Sequence, residues 1–504
     1  MATVLENLQS IQGMIRGGKN ISAGDFTIQS ATIVQGSGAA YPIGQYIRAI
    51  NLFEDMTVPG ITGWLDIEDP TNLPQAGPIV GEELLQLKFE TPGGSELENF
   101  SIDFTQNPLC IHSVQQIEYS GLELTYRLHF CSPEMVQNKR IRISKTYQGL
   151  VSDIVPDILK NVIGTSKKIK IEPTIANRHY VVPNQHPFDF IGDLTGAAQA
   201  KEKLSPSWAP TLTGKTFTPS EQIFKGLRSD FMFYEGVNGY NFVPVSTPDM
   251  DTGLEFTISV TDTNTGNDGG HRDSPSDPQG YRALMLRARE HSIINAGDKL
   301  SGINTGTWGG THIRHNGVTK SFKIYKSDYL NALKDKKFSH ITETPTFDPN
   351  NIVEARNIAE WPKGHIRFTS SSSMADTGIS KNNGHIFYPS QVATPTLSLE
   401  RQMQIGHFRG QLLKIQLPGI SGLRVGMGAY ANLPDIGLAA GEKGLKGSEL
   451  LAENRFDNFW VITRIGHSIK TFGPDAYYNC EVELSNTMAL TQDKLPDYNA
   501  MIAL

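Results

Sequence analysis

The stretch Phe456–Asn486, FDNFWVITRIGHSIKTFGPDAYYNCEVELSN, constrains the fold more than any other part of the chain, because it reads from end to end as one antiparallel hairpin. Side chains alternate between faces along a strand. Phe459, Val461, Thr463, Ile465 and Ile469 therefore share one side, with Trp460, Ile462, Arg464 and Ser468 on the other. Gly473-Pro474-Asp475 marks the turn, and Tyr478, Cys480, Val482 and Leu484 alternate with Asn479, Glu481 and Glu483 on the return. A strand covered on one face only is polar on the other, whereas this one is apolar on both at its start. Trp460 and Ile462 need a second cover, from a helix of the same domain or from a neighbouring subunit.

A chain of 504 residues exceeds what one core serves, and domain sizes suggest about three or four domains. Lys and Arg number 45 against 52 Asp and Glu, a net charge of −7, so no global positive field holds nucleic acid or an anionic membrane. With 48 Gly, 28 Pro and only 19% charged residues, the composition favours a mainly β, loop-rich architecture over helical bundles. No run approaches the roughly 18 apolar residues of a membrane span, and the first thirty residues lack the apolar core of a secretory signal. Folding in a cytoplasm is the expectation.

Residues 1–24 read as an N-terminal arm. Residues 25–139 carry six or so short strand-like runs, ending in IHSVQQIEYSGLELTYRLHF, where Leu122, Leu124, Tyr126, Leu128 and Phe130 alternate with polar residues. An antiparallel barrel or sandwich follows from that pattern. At 140–250 the period changes to that of a small α/β domain. Leu150, Val151, Ile154, Val155, Ile158, Leu159 and Val162 form a helical stripe closed by Gly164, with Ser152 as N-cap and Pro156 near the first turn. A second helix begins near Pro187, and a hairpin turns at Val237-Asn238-Gly239. Residues 251–280 read as a flexible linker, since 261–280 lack bulky apolar side chains, and Thr369–Gly384 looks similar. Residues 281–490 form a second barrel-like unit with a loop-rich insert near 340–395. Ser327 is a candidate cap for a short helix through Tyr329, Leu330 and Leu333, and LSLERQMQIGHF is a helix in which Leu399 stacks on Met403. Residues 491–504 are a tail.

Chemical motifs are few. Ala209–Thr216 satisfies the relaxed phosphate-loop pattern, but KEKLSPSW before it and Pro219 after it fit neither the buried strand nor the helix such a loop needs. His312 and His315 sit between glycines that suggest a loop, without a third ligand. Lys167, Lys168 and Lys170, like Lys334, Lys336 and Lys337, read as solvated faces. Counting outward from a turn at Ser120-Gly121 sets Cys110 opposite Cys131, beside His112 and His129, as reduced apolar side chains or as a disulfide or metal site. No catalytic, cofactor-binding or metal-binding residue emerges.

The ordered segments YQGLVSDIVPDILKNVIG, PFDFIGDL, DFMFYEGVNGYNFVPV, LERQMQIGHFRGQLLKIQLPG, LRVGMGAY and FWVITRIGHSIK, with INLFEDMTVPGITGWLDIEDPTNLPQAGPIVGEELLQLKFETPG near the start, resemble the central baseplate hub of contractile-tailed phages and the base of type VI secretion spike proteins. The resemblance spans about residues 25–490, departing in inserts near 196–228, 246–280 and 340–395, and no fused spike or lysozyme part is expected after 490. It implies two antiparallel β-barrel tube domains per chain and a non-enzymatic homotrimer with pseudo-sixfold symmetry. The implied ring joins the tail tube protein to the central spike protein, contacts baseplate wedge and tape measure proteins, and passes genome DNA without specific binding or membrane contact. On that reading Trp460 and Ile462 are candidate inter-barrel interface residues. Two other classes stay open: a tail-associated cell-wall hydrolase, and a carbohydrate-binding β module displaying Trp208, Trp308 and Trp361.

Overall fold

The computed structural model describes residues 23–77, 79–91, 101–120, 123–175, 178–201, 210–213, 216–219, 228–245, 257–259, 285–317, 320–329, 365–371, 380–382, 385–389, 395–432, 458–472 and 476–486. Outside them lie residues 1–22 of the arm, the stretch 261–280, the turn 473–475, Leu122, Trp208, Trp361, Leu330, Leu333, the lysines at 334, 336 and 337, and the tail.

In the first unit, strands β1 (Thr27–Val34), β2 (Ile47–Asp55), β3 (Thr62–Asp69), β4 (Leu84–Glu90) and β6 (Glu123–Cys131) bury alternate side chains, whereas β5 (Leu109–Ser120) buries only Leu109 and Ile111 at its start. Leu124, Tyr126, Leu128 and Phe130 point inward from β6, as the alternation requires. Cys110 does pair with Cys131, though by another route. Ser120 pairs with Glu123, which moves the turn one residue on, and register shifts between Ile111 and Ser113 and between Gln115 and Glu118 offset that displacement. Both thiols are free, and burial raises the Cys131 thiol to about 12.

The α/β part holds its own core. Helix α1 (Pro133–Arg140) leads to α2 (Val151–Asp157), which continues as a π-helical turn over Ile158–Ile163. Then come α3 (Pro187–Thr195) and the hairpin of β7 (Phe231–Gly236) and β8 (Gly239–Pro244), closed where Gly236 pairs with Gly239. Val155, Ile158, Leu159, Ile191, Leu194, Phe231 and Phe242 lie fully buried here. Ser152 is not the N-cap. Leu150 takes that place, and the Ser152 amide donates to Thr174 Oγ1 at 3.0 Å, so a residue distant in sequence does the capping. Pro156 lies inside the helix, where its missing N–H leaves the Ser152 carbonyl without its intrahelical donor. Gly164, at φ +81°, ends the helix in the left-handed region.

The second unit comprises β9 (Glu290–Asn295), β10 (Gly309–Asn316), β11 (Ser321–Asp328), β12 (Ile366–Ser371), α4 (Pro395–Phe408), β13 (Gln411–Pro418), β14 (Gly428–Asn432), β15 (Asn458–Lys470) and β16 (Tyr477–Asn486). Leu399 and Met403 are both buried on α4. Ser327 lies within β11, and its hydroxyl faces Met403 Sδ; the expected short helix beyond Tyr329 falls outside the described residues. His312 and His315 stand on strand β10, where a spacing of three sends them to opposite faces. Trp308 is buried and offers no platform. Thr257–Ser259, inside the expected linker, pairs in parallel with β14, and Thr369–Ser371 and Ser380–Asn382 are strands where a loop was expected. Thr213 pairs with Thr216, so the phosphate-loop look-alike is a β-hairpin.

The fold is mainly antiparallel β with α+β parts. Both units contribute to one 14-stranded sheet, ordered β9-β13-β16-β15-β2-β3-β6-β5-β4-β1 and then Ala40–Pro42, and its inward faces share one apolar core, while β10–β12 form a separate three-stranded sheet. The hairpin of β15 and β16 lies mid-sheet. A bulge between Ile462 and Arg464 shifts its alternation, so Trp460, Ile462, Ile465, His467 and Ile469 all turn inward with Tyr478, Cys480, Val482 and Leu484. Val461 is also buried; beside it Ser485 donates to the Phe408 carbonyl at the end of α4.

Candidate interface site where the parts of the chain join

The two strand units meet where β15 pairs antiparallel with β2, from Arg464 opposite Asp55 to Lys470 opposite Ala49. Alternation along β2 sends Ile50, Leu52 and Glu54 inward, which puts one carboxylate at an apolar position. Glu54 has no accessible surface, and neither has His467. His467 Nε2 stands 3.6 Å from Glu54 Oε1, and its Nδ1 lies 2.7 Å from Tyr478 Oη and 3.4 Å from Cys480 Sγ. Burial alone would lower the imidazole's pKa, but the Cys480 sulfur and the Glu54 carboxylate outweigh it and hold it at about 9. That environment favours the protonated imidazole beside the Glu54 carboxyl group, with both side chains fully buried. The thiol–imidazole contact has a nucleophile's geometry, yet both groups are sealed from solvent and no substrate reaches the sulfur.

Glu54 reaches a third part of the chain as well. Its Oε2 accepts from the Val237 amide at 3.0 Å, at the turn between β7 and β8. The same hairpin carries Glu235, whose Oε2 accepts from the Ile61 amide at 3.3 Å. Lys167 Nζ lies 2.5 Å from Glu235 Oε1 and 2.6 Å from Glu134 Oε2, and Thr165 Oγ1 donates to Glu134 Oε1 at 2.6 Å. Burial opposes the charge on Lys167, but the two carboxylates more than offset it and raise the ammonium's pKa. Glu235 is raised by its complete burial despite Lys167. Lys167, read from sequence as part of a solvated face, is therefore the centre of an enclosed ionic triad.

A loop of the second unit completes the joint. Thr91 and Ser421 exchange amide-to-hydroxyl bonds of 2.9 Å in both directions, and Arg424 donates to the Ser421, Leu423 and Ser101 carbonyls. Gly419 must be glycine here, because a Cβ would fall 1.9 Å from the Tyr478 ring. On the outer face, Arg464 pairs with Asp55 at 2.6 Å beside a groove of ≈ 520 Å³ bordered by Phe53, Lys414, Glu481 and Glu483. Among the described residues, no cluster of His, Cys, Asp and Glu is arranged to hold a metal, and no helix is long and apolar enough to cross a membrane.

Trp460 and Ile462 do not line this joint. They pair with Ala429 and Leu484 inside the second unit and have no surface to offer a neighbouring subunit. The residues that join the units lie further along the same strand, from Arg464 to Lys470, and the joint is within one chain. Glu54 was legible as a lone carboxylate at an inward strand position. His467 shares the face of Ile465 and Ile469 by simple alternation, but a histidine between apolar positions carries no local sign of its partners.

By fold and joint the described residues form a mainly β protein in which two strand units contribute to one 14-stranded sheet, beside four smaller sheets. No family model matches it, and no curated protein does. Among solved structures, it is similar to the tail protein from Neisseria meningitidis MC58, at 9% identity and a TM-score of 0.46 over 93% of this chain and 99% of that one. It is also similar to the 43 kDa tail protein of prophage MuSo2 from Shewanella oneidensis, at 8% identity and a TM-score of 0.42 over 90% and 97%. A third is an E. coli component of the type VI secretion system, at 10% identity and a TM-score of 0.37 over 93% and 77%. The first two are described as tail proteins and the third as a component of the type VI secretion system.

Proposed function

We propose that this chain is a structural protein of a contractile-type tail, the baseplate hub, acting as a homotrimeric ring that joins the tail tube to the central spike around a channel for the genome. One observation carries the reading: two antiparallel strand units are welded edge to edge through β2 and β15 into one sheet with one core. A single polypeptide thereby sets two strand units side by side in fixed relation, and three copies set six around an axis. Such a ring meets sixfold symmetry on one side and threefold on the other. Its role is mechanical, with no reaction catalysed, and its partners are the tube, spike, wedge and tape measure proteins. The resemblance of the ordered segments points the same way. Sedimentation of the purified chain is expected to give three times 55.5 kDa, with negative-stain images showing a ring with a central hole. A monodisperse monomer sinks the ring, and lysis of peptidoglycan by the isolated chain sinks the non-enzymatic role.

A further inference from the structure

Cys110 and Cys131 stand opposite each other at the root of the β5–β6 hairpin. Their backbone setting follows from the hydrogen bonds of their neighbours. The Ile111 amide donates to the Glu83 carbonyl beside β4, and the Ser132 amide donates to the Ile61 carbonyl beside β3. Amides alternate between the two sides of a strand, so Cys110 and Cys131, each one residue earlier, turn theirs toward each other. A hydrogen-bonded pair of this kind holds its Cα atoms about 5.5 Å apart with both side chains on one face, and disulfides most often span about 5.5–6 Å. Both thiols are free, Cys110 partly exposed and Cys131 buried.

The position gives a bond between them something to hold. Among the described residues β4 pairs with β5 only at Leu84 with Cys110 and Leu85 with Leu109. Past these β5 buries Ile111 and then runs outward, exposed from Gln115 to Tyr119, with two register shifts against β6 and Gln116 at φ +53°. The cysteines thus mark the point beyond which β5 is paired on one side alone. Burial, then Glu83 and Glu82, raise the Cys110 thiol, and burial raises Cys131 to about 12. At neutral pH both stay largely protonated, and a reducing compartment keeps them reduced.

We propose that Cys110 and Cys131 are a redox-responsive pair that closes into a cross-strand disulfide and staples the root of the β5–β6 hairpin. The co-reactant is a low-molecular-weight disulfide. The Cys110 thiolate attacks one of its sulfurs, giving a mixed disulfide and one released thiol, and the Cys131 thiolate then attacks the Cys110 sulfur and expels the second. The two protein thiols lose two electrons and two protons, which the co-reactant gains as it becomes two thiols. Incubation of the full chain with hydroxyethyl disulfide, a neutral probe that Glu82 and Glu83 do not repel, tests this. Peptide mapping without reductant should find Cys110 joined to Cys131, with the fully buried Cys480 still free. The rate should rise about tenfold per pH unit near neutrality, as the thiolate fraction does, and dithiothreitol should reverse the reaction. Cys131→Ser should instead trap the mixed disulfide on Cys110. In the bridged chain, hydrogen exchange over residues 112–120 should slow at least about threefold. A wild type that gives separate adducts without a bridge, or no reaction, overturns the pair; a bridge that leaves that exchange unchanged overturns the staple.

Discussion

The chain is held together by two buried joints of opposite construction. At β2 and β15 a backbone ladder runs between the strand units, and Glu54 with His467 is an inclusion in a continuous apolar core. At Lys167 two separate cores abut, and the triad Glu134–Lys167–Glu235 stands between them. Removing a side chain from the first leaves the ladder in place. Removing the cation from the second leaves two buried carboxylates facing each other, and desolvation makes that the costlier loss.

The largest expected effect is therefore at Lys167. Lys167→Met should destabilise by about 3–5 kcal/mol in denaturant unfolding, and replacing all three charges with apolar residues should recover much of it. An equal loss from Glu54→Gln would erase the contrast between the joints. Next comes His467. Its folded pKa of about 9 lies above the ordinary histidine value near 6.5, so its contribution is fully present below about 6.5 and is lost as pH rises through 9. Thermal melts should show that decline, on the order of 3 kcal/mol at most, and His467→Gln should flatten it. A smaller effect belongs to the helix cap: Thr174→Val should cost about 1 kcal/mol and Ser152→Ala less, measured by chemical denaturation. Smallest is Arg464→Ala, whose half-exposed pairing with Asp55 should be worth under about 1 kcal/mol and fade with salt.

Alternation made the strands of both units legible, and periodicity located α2, α3 and α4, because these signals depend on which face is buried. What escaped reading depends on a single residue of register or on tertiary partners. One bulge after Ile462 put Trp460 and Ile462 on the same side as Ile465 and His467, and two in β5 offset a misplaced turn, so the cysteine pairing came out right through offsetting shifts. Lys167 looked solvated because its carboxylates lie 33 residues before it and 68 after it. Trp460 and Ile462 are fully buried, and no local pattern says whether the cover of such a strand comes from the same chain.

The sheet order also has a temporal side. The last strands in sequence, β15 and β16, occupy its middle, so during synthesis the first unit emerges with β2 as a bare edge. At roughly 5–20 residues per second, that edge waits on the order of tens of seconds for residue 470 to leave the ribosome. An unpaired strand is a template for wrong partners throughout that interval. Asp55 at its end, and the inward carboxylate of Glu54, are charges that make β2 a poor partner for an apolar strand until Arg464 and His467 arrive.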